Sequence, residues 1–221
     1  MKFLLRPMLP FMDRMVAIRL SMGQYAEAEV LLNKIREISP RRARLHLNLG
    51  LAALAQNNYE TAERELLLEA EYHGERYPSL KSLADLYYDW GKREKARSYY
   101  EKALEGCNYP ADRRLIERRL ERAESDETFA VALQSRDAVK KGRRLASERD
   151  YDGAYRAFEK AVELDPYNLQ ALNNLGTIAL RVRKEPQAAV DYLSRAAELT
   201  RVPAIHSNLA AAKRELGSRM K

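Results

Sequence analysis

Small side chains recur along this chain in pairs, twelve positions apart within a pair and, on either side of one interruption, 34 residues from pair to pair. Gly50, Ala84, Gly142 and Gly176 take the first place of the pair, with Val16 in the same place of the first block. Ala28, Ala62, Ala96 and Ala154 take the second, and Ala189 follows in the last block after a one-residue slip. A period of this length is that of a helix–turn–helix unit which cannot bury its apolar face alone and must stack on its neighbours. Small residues where two helices cross let the backbones approach, and larger neighbours interlock around them. Leu49, Leu83 and Leu175 precede the small residue of the first helix. Leu32, Leu66, Tyr100 and Phe158 fill the matching apolar place of the second. Apolar residues recur three and four apart within each block, which is amphipathic helix rather than strand.

Turn chemistry agrees. Met22-Gly23-Gln24-Tyr25, Gln56-Asn57-Asn58-Tyr59, Trp90-Gly91-Lys92-Arg93 and Arg149-Asp150-Tyr151 fall where a first helix must stop, and Gly and Asn tolerate the left-handed cap found there. Ser39-Pro40, Tyr77-Pro78, Tyr109-Pro110 and Asp165-Pro166 mark the joints between blocks, since a residue preceding Pro is driven out of the helical region. The blocks run over 9–42, 43–76, 77–110, 135–168 and a slightly longer 169–202. The expected class is all-α.

This pattern resembles the tetratricopeptide repeat (TPR) family. The fourth block carries the likeness most fully, in Ala138, Gly142, Tyr151, Ala154, Phe158, Ala161 and Pro166. The departures are Val16, and Glu69 and Arg195 at a place usually small, where a slip to Ala70 and Ala196 restores the pattern. The resemblance implies a right-handed superhelical solenoid whose concave face receives peptides or partner helices.

The array is interrupted between Ala111 and Gln134. Residues 112–123 still read as a helix, with Leu115, Ile116 and Leu120 on one face and arginines on the others. Ser125-Asp126-Glu127 reads as a new helix start. The expected division is therefore an N-terminal half, 1–124, of three repeats plus a linking helix, and a C-terminal half, 125–221, of two repeats plus a capping helix over 203–216. The opening Met1-Lys2-Phe3-Leu4-Leu5 is broken by Arg6, Pro7, Pro10 and Asp13 before an apolar core of signal-peptide length develops. It reads as a first helix, or as the point where a longer protein was cut. No run is apolar enough to span a bilayer. One cysteine, Cys107, forbids an internal disulfide. Cytoplasm is the default address, and a periplasmic or membrane-tethered parent stripped of its leader reads the same.

The net charge of +7 is uneven: +5 over residues 1–48, −3 over 49–110, +3 over 111–149 and +2 over 150–221. Dense basic clusters at 40–44, 113–122 and 140–144 raise nucleic-acid binding. Acidic residues at helical spacing, such as Glu117, Glu121 and Glu124, make solvated ion-paired faces the better reading, and no nucleic-acid motif accompanies the charge. An acidic peptide or protein surface fits better than DNA. The tyrosines and Trp90 between Tyr72 and Tyr109 read as core fillers ahead of interface anchors.

In this family the first helix of each repeat lines the groove. Carried onto matching positions, the resemblance implies a partner-binding set of Arg44, Leu47, Asn48 and Leu51 in the second block and Lys81, Asp85 and Tyr88 in the third. Arg136, Lys140 and Arg143 follow in the fourth, Asn173, Asn174 and Thr177 in the fifth, and Asn208 in the cap. An amide at the shared place of Asn48, Asn174 and Asn208 can donate to and accept from a peptide backbone. The chaperone-tail carboxylate clamp of some members is disfavoured. Asp13 and Ala17 stand where Lys and Asn are wanted, Pro78 and Ser82 replace Lys and Arg, and only Asn48 matches.

Nothing points to catalysis, a metal or a cofactor. His46, His73 and His206 lie in separate blocks without ligand spacing, and Cys107 has no sequence-adjacent base. The sequence is thus read as a non-catalytic scaffold or adaptor that binds a partner protein or peptide in its groove. A self-associating homo-oligomeric scaffold is the second reading and nucleic-acid binding the third.

Overall fold

The computed structural model describes residues 6–219. Among them there is no strand, and the helices are α1 (Leu9–Ser21), α2 (Tyr25–Ile38), α3 (Leu45–Ala55), α4 (Tyr59–His73), α5 (Tyr77–Trp90), α6 (Arg93–Glu105), α7 (Pro110–Arg122), α8 (Asp126–Ser147), α9 (Tyr151–Leu164), α10 (Leu169–Ile178), α11 (Pro186–Ala197) and α12 (Pro203–Arg219). The chain divides between Gly106 and Cys107 into two compact units. The first stacks the pairs α1/α2, α3/α4 and α5/α6. The second holds α7, the pairs α8/α9 and α10/α11, and α12.

The crossings are built as the spacing requires. Ala28, Ala62, Ala96, Ala154 and Ala189 are all 0% exposed, and Ala84 opposite Ala96 is too. A methyl group on Gly50 would stand 2.6 Å from Leu66 Cγ, and one on Gly142 would stand 2.6 Å from Phe158 Cε1. On Gly176 it would run into Leu193. These three glycines are therefore contact surfaces, each seating one fully buried side chain of the second helix. In the first unit Leu9 and Val16 of α1 join Leu32, Ile35, Leu45 and Leu49 in one core cluster that runs from pair to pair. In the second, Val139, Ala154, Phe158, Leu175, Ala189, Leu193 and Ala212 form the corresponding cluster. Each large side chain so buried contributes about 1.5–3 kcal/mol.

Helix ends follow local chemistry. Asn58, Asp150 and Asn168 each accept a backbone N–H at the start of α4, α9 and α10. Ser125 and Thr128 form a reciprocal capping box at the start of α8. Gly91 closes α5 with φ 83°, in the left-handed region.

Three features depart from a regular array. First, α8 begins at Asp126, nine residues ahead of the block boundary at 135, and buries Phe129 and Ala132. Second, the extra residue of the last block is absorbed by a π turn at Ala179–Arg183, ended by Lys184 at φ 59°. Such a turn inserts one residue without breaking the helix. It shifts α11 by one place, so that Ala189 and Ala196 are the buried alanines and Arg195 is exposed. Third, Glu69 is no misfit. It is buried, and its carboxylate accepts the backbone N–H groups of Arg44 and Leu47, both at 3.1 Å. It therefore caps α3 from the neighbouring helix and holds Arg44 at φ 67°. Arg195 of α11 reaches back in a similar way, donating to the Pro166 carbonyl at 3.1 Å.

Helix α7 packs within the second unit. Leu115 clusters with Leu172, Ala196, Leu199 and Ile205. The Arg114 guanidinium donates to the Glu198 carbonyl at 2.7 Å, Arg201 pairs with Asp112 at 3.7 Å, and Arg118 lies over the Tyr167 ring. The helix thus runs along the edge where α9 turns into α10 and α11 into α12.

Candidate partner-binding faces

Helices α3 and α5 carry the candidates of the first unit. Arg44 is exposed at the N-cap of α3, Asn48 is half-buried and Leu51 is exposed. Lys81 and Asp85 pair at 2.8 Å one turn apart on α5, and the other oxygen of Asp85 accepts the Tyr100 hydroxyl at 2.7 Å. Leu47 and Tyr88 are 5% and 6% exposed. The Tyr88 ring meets Tyr100 edge-on at 6.0 Å. The open part of this face is thus Arg44, Asn48 and Leu51, beside a Lys81–Asp85 pair whose charges are matched.

Behind it lies a polar network that the sequence reading passed over. His46 and Glu65 are both buried, and their side chains meet at 2.8 Å. The other ring nitrogen of His46 faces the Pro40 carbonyl at 2.9 Å, and Tyr72 meets the ring edge-on. A carbonyl can only accept, so that nitrogen donates to it. The basic stretch 40–44 is consequently stitched down. Arg42 donates to Asp13, Arg41 stacks on Tyr72, and Arg44 is held through its backbone.

In the second unit the candidates lie on α8, α10 and α12. Arg136 pairs with its neighbour Asp137, Lys140 is half-buried and Arg143 is exposed. On α10 the Thr177 hydroxyl donates to the Asn173 carbonyl at 2.8 Å, and the Asn174 amide donates to Gln170 at 2.7 Å. Asn208 of α12 donates to the Asn173 side-chain oxygen across to α10 at 3.3 Å. Asn173 rather than Asn174 is therefore the partner of Asn208. The α8–α10 joint is sealed deeper, where Asn168 donates to the buried Ser135 hydroxyl and Ser135 to the Ala161 carbonyl, both at 2.8 Å.

Electrostatics elsewhere are largely internal. Arg118 pairs with Glu121 and Arg144 with Glu148, as the acidic spacing implied. In the first unit Glu63 joins three helices, accepting Tyr87 at 2.8 Å and Lys95 at 3.1 Å. Partial burial works against its charge, but these two hydrogen bonds and the nearby ammonium groups win and hold its carboxyl below the ordinary 4.5. Burial, and then the Glu63 carboxylate, push the Tyr87 phenol up. Of the aromatic group Tyr87, Tyr88 and Tyr100 are buried in the core, Trp90 is half-buried and stacks on Tyr59 under the Lys92 ammonium, and Tyr109 is exposed. Among the described residues no group of three or more His, Cys, Asp or Glu could hold a metal ion. No described helix is long and apolar enough to cross a membrane.

The chain matches the tetratricopeptide repeat family over residues 19–84, 79–105 and 139–203, and it belongs to that family. Proteins of this family generally act as non-catalytic scaffolds for protein–protein interaction. Among solved structures it is similar to the TPR2AB domain of yeast Sti1 in a complex with pHSP90, at 19% identity and TM-score 0.46, over 95% of this chain and 84% of that one. It is also similar to YrrB, a tetratricopeptide protein with an unusual peptide-binding site, at 16% identity and TM-score 0.41, over 90% and 88% of the two chains. Pseudomonas aeruginosa pilF matches at 16% identity and TM-score 0.41, over 93% and 87%. No curated protein matches the chain in sequence.

Proposed function

We propose that the chain is a non-catalytic adaptor that holds a segment of a partner protein against the first-helix faces of its repeats, with the second unit preferring an acidic segment. One observation carries the reading. On α8, α10 and α12 the polar residues Lys140, Arg143, Asn173, Asn174, Thr177 and Asn208 lie at least partly open, while the crossings behind them are closed by Gly142, Gly176 and fully buried alanines. Asn173 and Asn208 also bond to each other, yet all six side chains stay at least partly accessible to a guest. Two cations at one end suit carboxylates of a guest, and amides further along suit its backbone. The first unit offers a smaller face, Arg44, Asn48 and Leu51. The basic clusters do not favour nucleic acid, because many of their arginines are bound to acids or carbonyls of the chain itself.

The test is capture of the partner by the intact protein, followed by the triple change Lys140→Glu, Arg143→Glu and Asn174→Ala. Binding falls at least tenfold with an unchanged melting temperature, and wild-type binding weakens as salt rises. Capture that survives the triple change would move the site off this face.

A further inference from the structure

A surface of the first unit remains that neither the fold nor the groove uses. Met8, Phe11, Met15, Ile18 and Met22 follow one another at intervals of three and four along α1 and its caps. Leu9 and Val16, on the opposite side of the helix, go into the core. The stripe does not: Met8 is 50% exposed, Phe11 63%, Ile18 41% and Met22 65%. Met15 is half-buried. In the next repeats the places of Met15 and Ile18 are held by Leu49 and Ala52, then by Leu83 and Leu86, all buried. Leu49 is covered there by Leu32 and Ile35 of the preceding pair. The stripe is thus a stacking face that no repeat among the described residues covers. The matching face of α8/α9 is built differently. Lys141 stands where α3, α5 and α10 have Leu, and with Arg156 and Lys160 it rims a cavity of about 390 Å³. That face of the second unit is wet and basic, whereas the α1 face of the first is apolar, and an exposed apolar stacking face favours association.

We infer that the α1 stripe is the interface of a homodimer, in which a second copy of this chain packs its α1 antiparallel on the first across a two-fold axis. The intervals 3-4-3-4 are those of a coiled-coil seam, about 21 Å long at 1.5 Å per residue. Charge sets the direction. Arg14 and Arg19 flank the seam. Parallel pairing would set Arg14 of one copy against Arg19 of the other, whereas antiparallel pairing sets Arg14 beside Ser21 and Arg19 beside Met12. It also seats Phe11 against Met22 and Met15 against Ile18 of the second copy, a self-complementary arrangement as a two-fold requires. At roughly 200 Å² per large side chain, the exposed fractions of Met8, Phe11, Ile18 and Met22 amount to about 900 Å² for the pair, the size of a weak interface. The stripe lies on a different face of α1 from the groove positions Asp13 and Ala17, so the dimer stands or falls apart from the adaptor reading.

Sedimentation equilibrium of the full chain tests it. Wild type shows a concentration-dependent dimer with a Kd on the order of micromolar. Phe11→Glu and, separately, Ile18→Glu weaken it more than tenfold without lowering the melting temperature. Under mild oxidation, Phe11→Cys protein mixed with Met22→Cys protein gives a cross-linked heterodimer, while neither variant links to itself. Cys107 is 3% exposed and does not compete. A wild type that stays monomeric at hundreds of micromolar, a dimer indifferent to both Glu variants, or Phe11→Cys linking only to itself would each overturn the proposal.

Discussion

Replacing Gly by Ala in a helix ordinarily stabilises a protein by about 0.5–1 kcal/mol, because Ala is the better helix former. Here the same change has opposite signs at two helical glycines. At Gly217, near the end of α12, an added methyl meets nothing within 4 Å. Gly217→Ala therefore gains a few tenths of a kcal/mol up to about 1. At Gly142 the methyl stands 2.6, 2.8 and 2.9 Å from Cε1, Cδ1 and Cζ of Phe158. Carbon contacts are comfortable at about 3.5–4.0 Å, so the ring must retreat by about 1 Å. Phe158 is 1% exposed and has no room to do so without parting α8 from α9. Overpacking of this kind costs about 1–3 kcal/mol. After subtracting the propensity gain, Gly142→Ala loses about 1–2 kcal/mol. Equilibrium urea unfolding of both variants measures the difference, and hydrogen exchange across α8 and α9 localises it. Phe158→Leu in the Gly142→Ala background recovers part of the loss, which a double-mutant cycle reads as coupling. A Gly142→Ala protein as stable as wild type would refute the view that close helix approach at the crossings holds these pairs together.

Two further outcomes follow from polar contacts. Glu63 has a lowered carboxyl in the folded chain, so the unfolded chain takes up its proton first as pH falls, and stability is lost below about 4.5 as the pH approaches the folded value. Glu63→Gln flattens the acid limb of a stability–pH curve, and an unchanged limb counts against the Tyr87–Glu63–Lys95 node. Glu69→Ala leaves the buried end of α3 without its acceptor and costs about 2–4 kcal/mol in urea unfolding. Glu69→Gln, which keeps one acceptor oxygen, loses about half as much.

The parts of this fold that could be read in advance are those repeated. A small residue at each crossing recurs because every pair solves the same packing problem, and five fully buried alanines match five blocks. Solutions used once are not distinguishable from noise in one sequence. Glu69 looks like a misplaced charge until the N–H groups of Arg44 and Leu47 are found on it. The slip in the last block looks like a misalignment until the π turn at 179–183 accounts for it. Of the groove residues, Leu47 and Tyr88 fall at the edge of the helix stripe, where a turn of a few tens of degrees decides between guest and core. Periodicity fixes a face less finely than that. The Asn173–Asn208 bond depends on the spacing of α10 and α12, which no local pattern carries.

Helix α7 has a practical corollary for dividing the molecule. A fragment begun at residue 125 would strip Leu115 from Leu172, Leu199 and Ile205 and take away the guanidinium that closes α11, leaving a greasy scar along one rim. Begun at residue 107, it would keep that rim sealed. The stretch that resembles a spacer between two arrays therefore behaves as a hem: unpicking it frays the cloth it was sewn to.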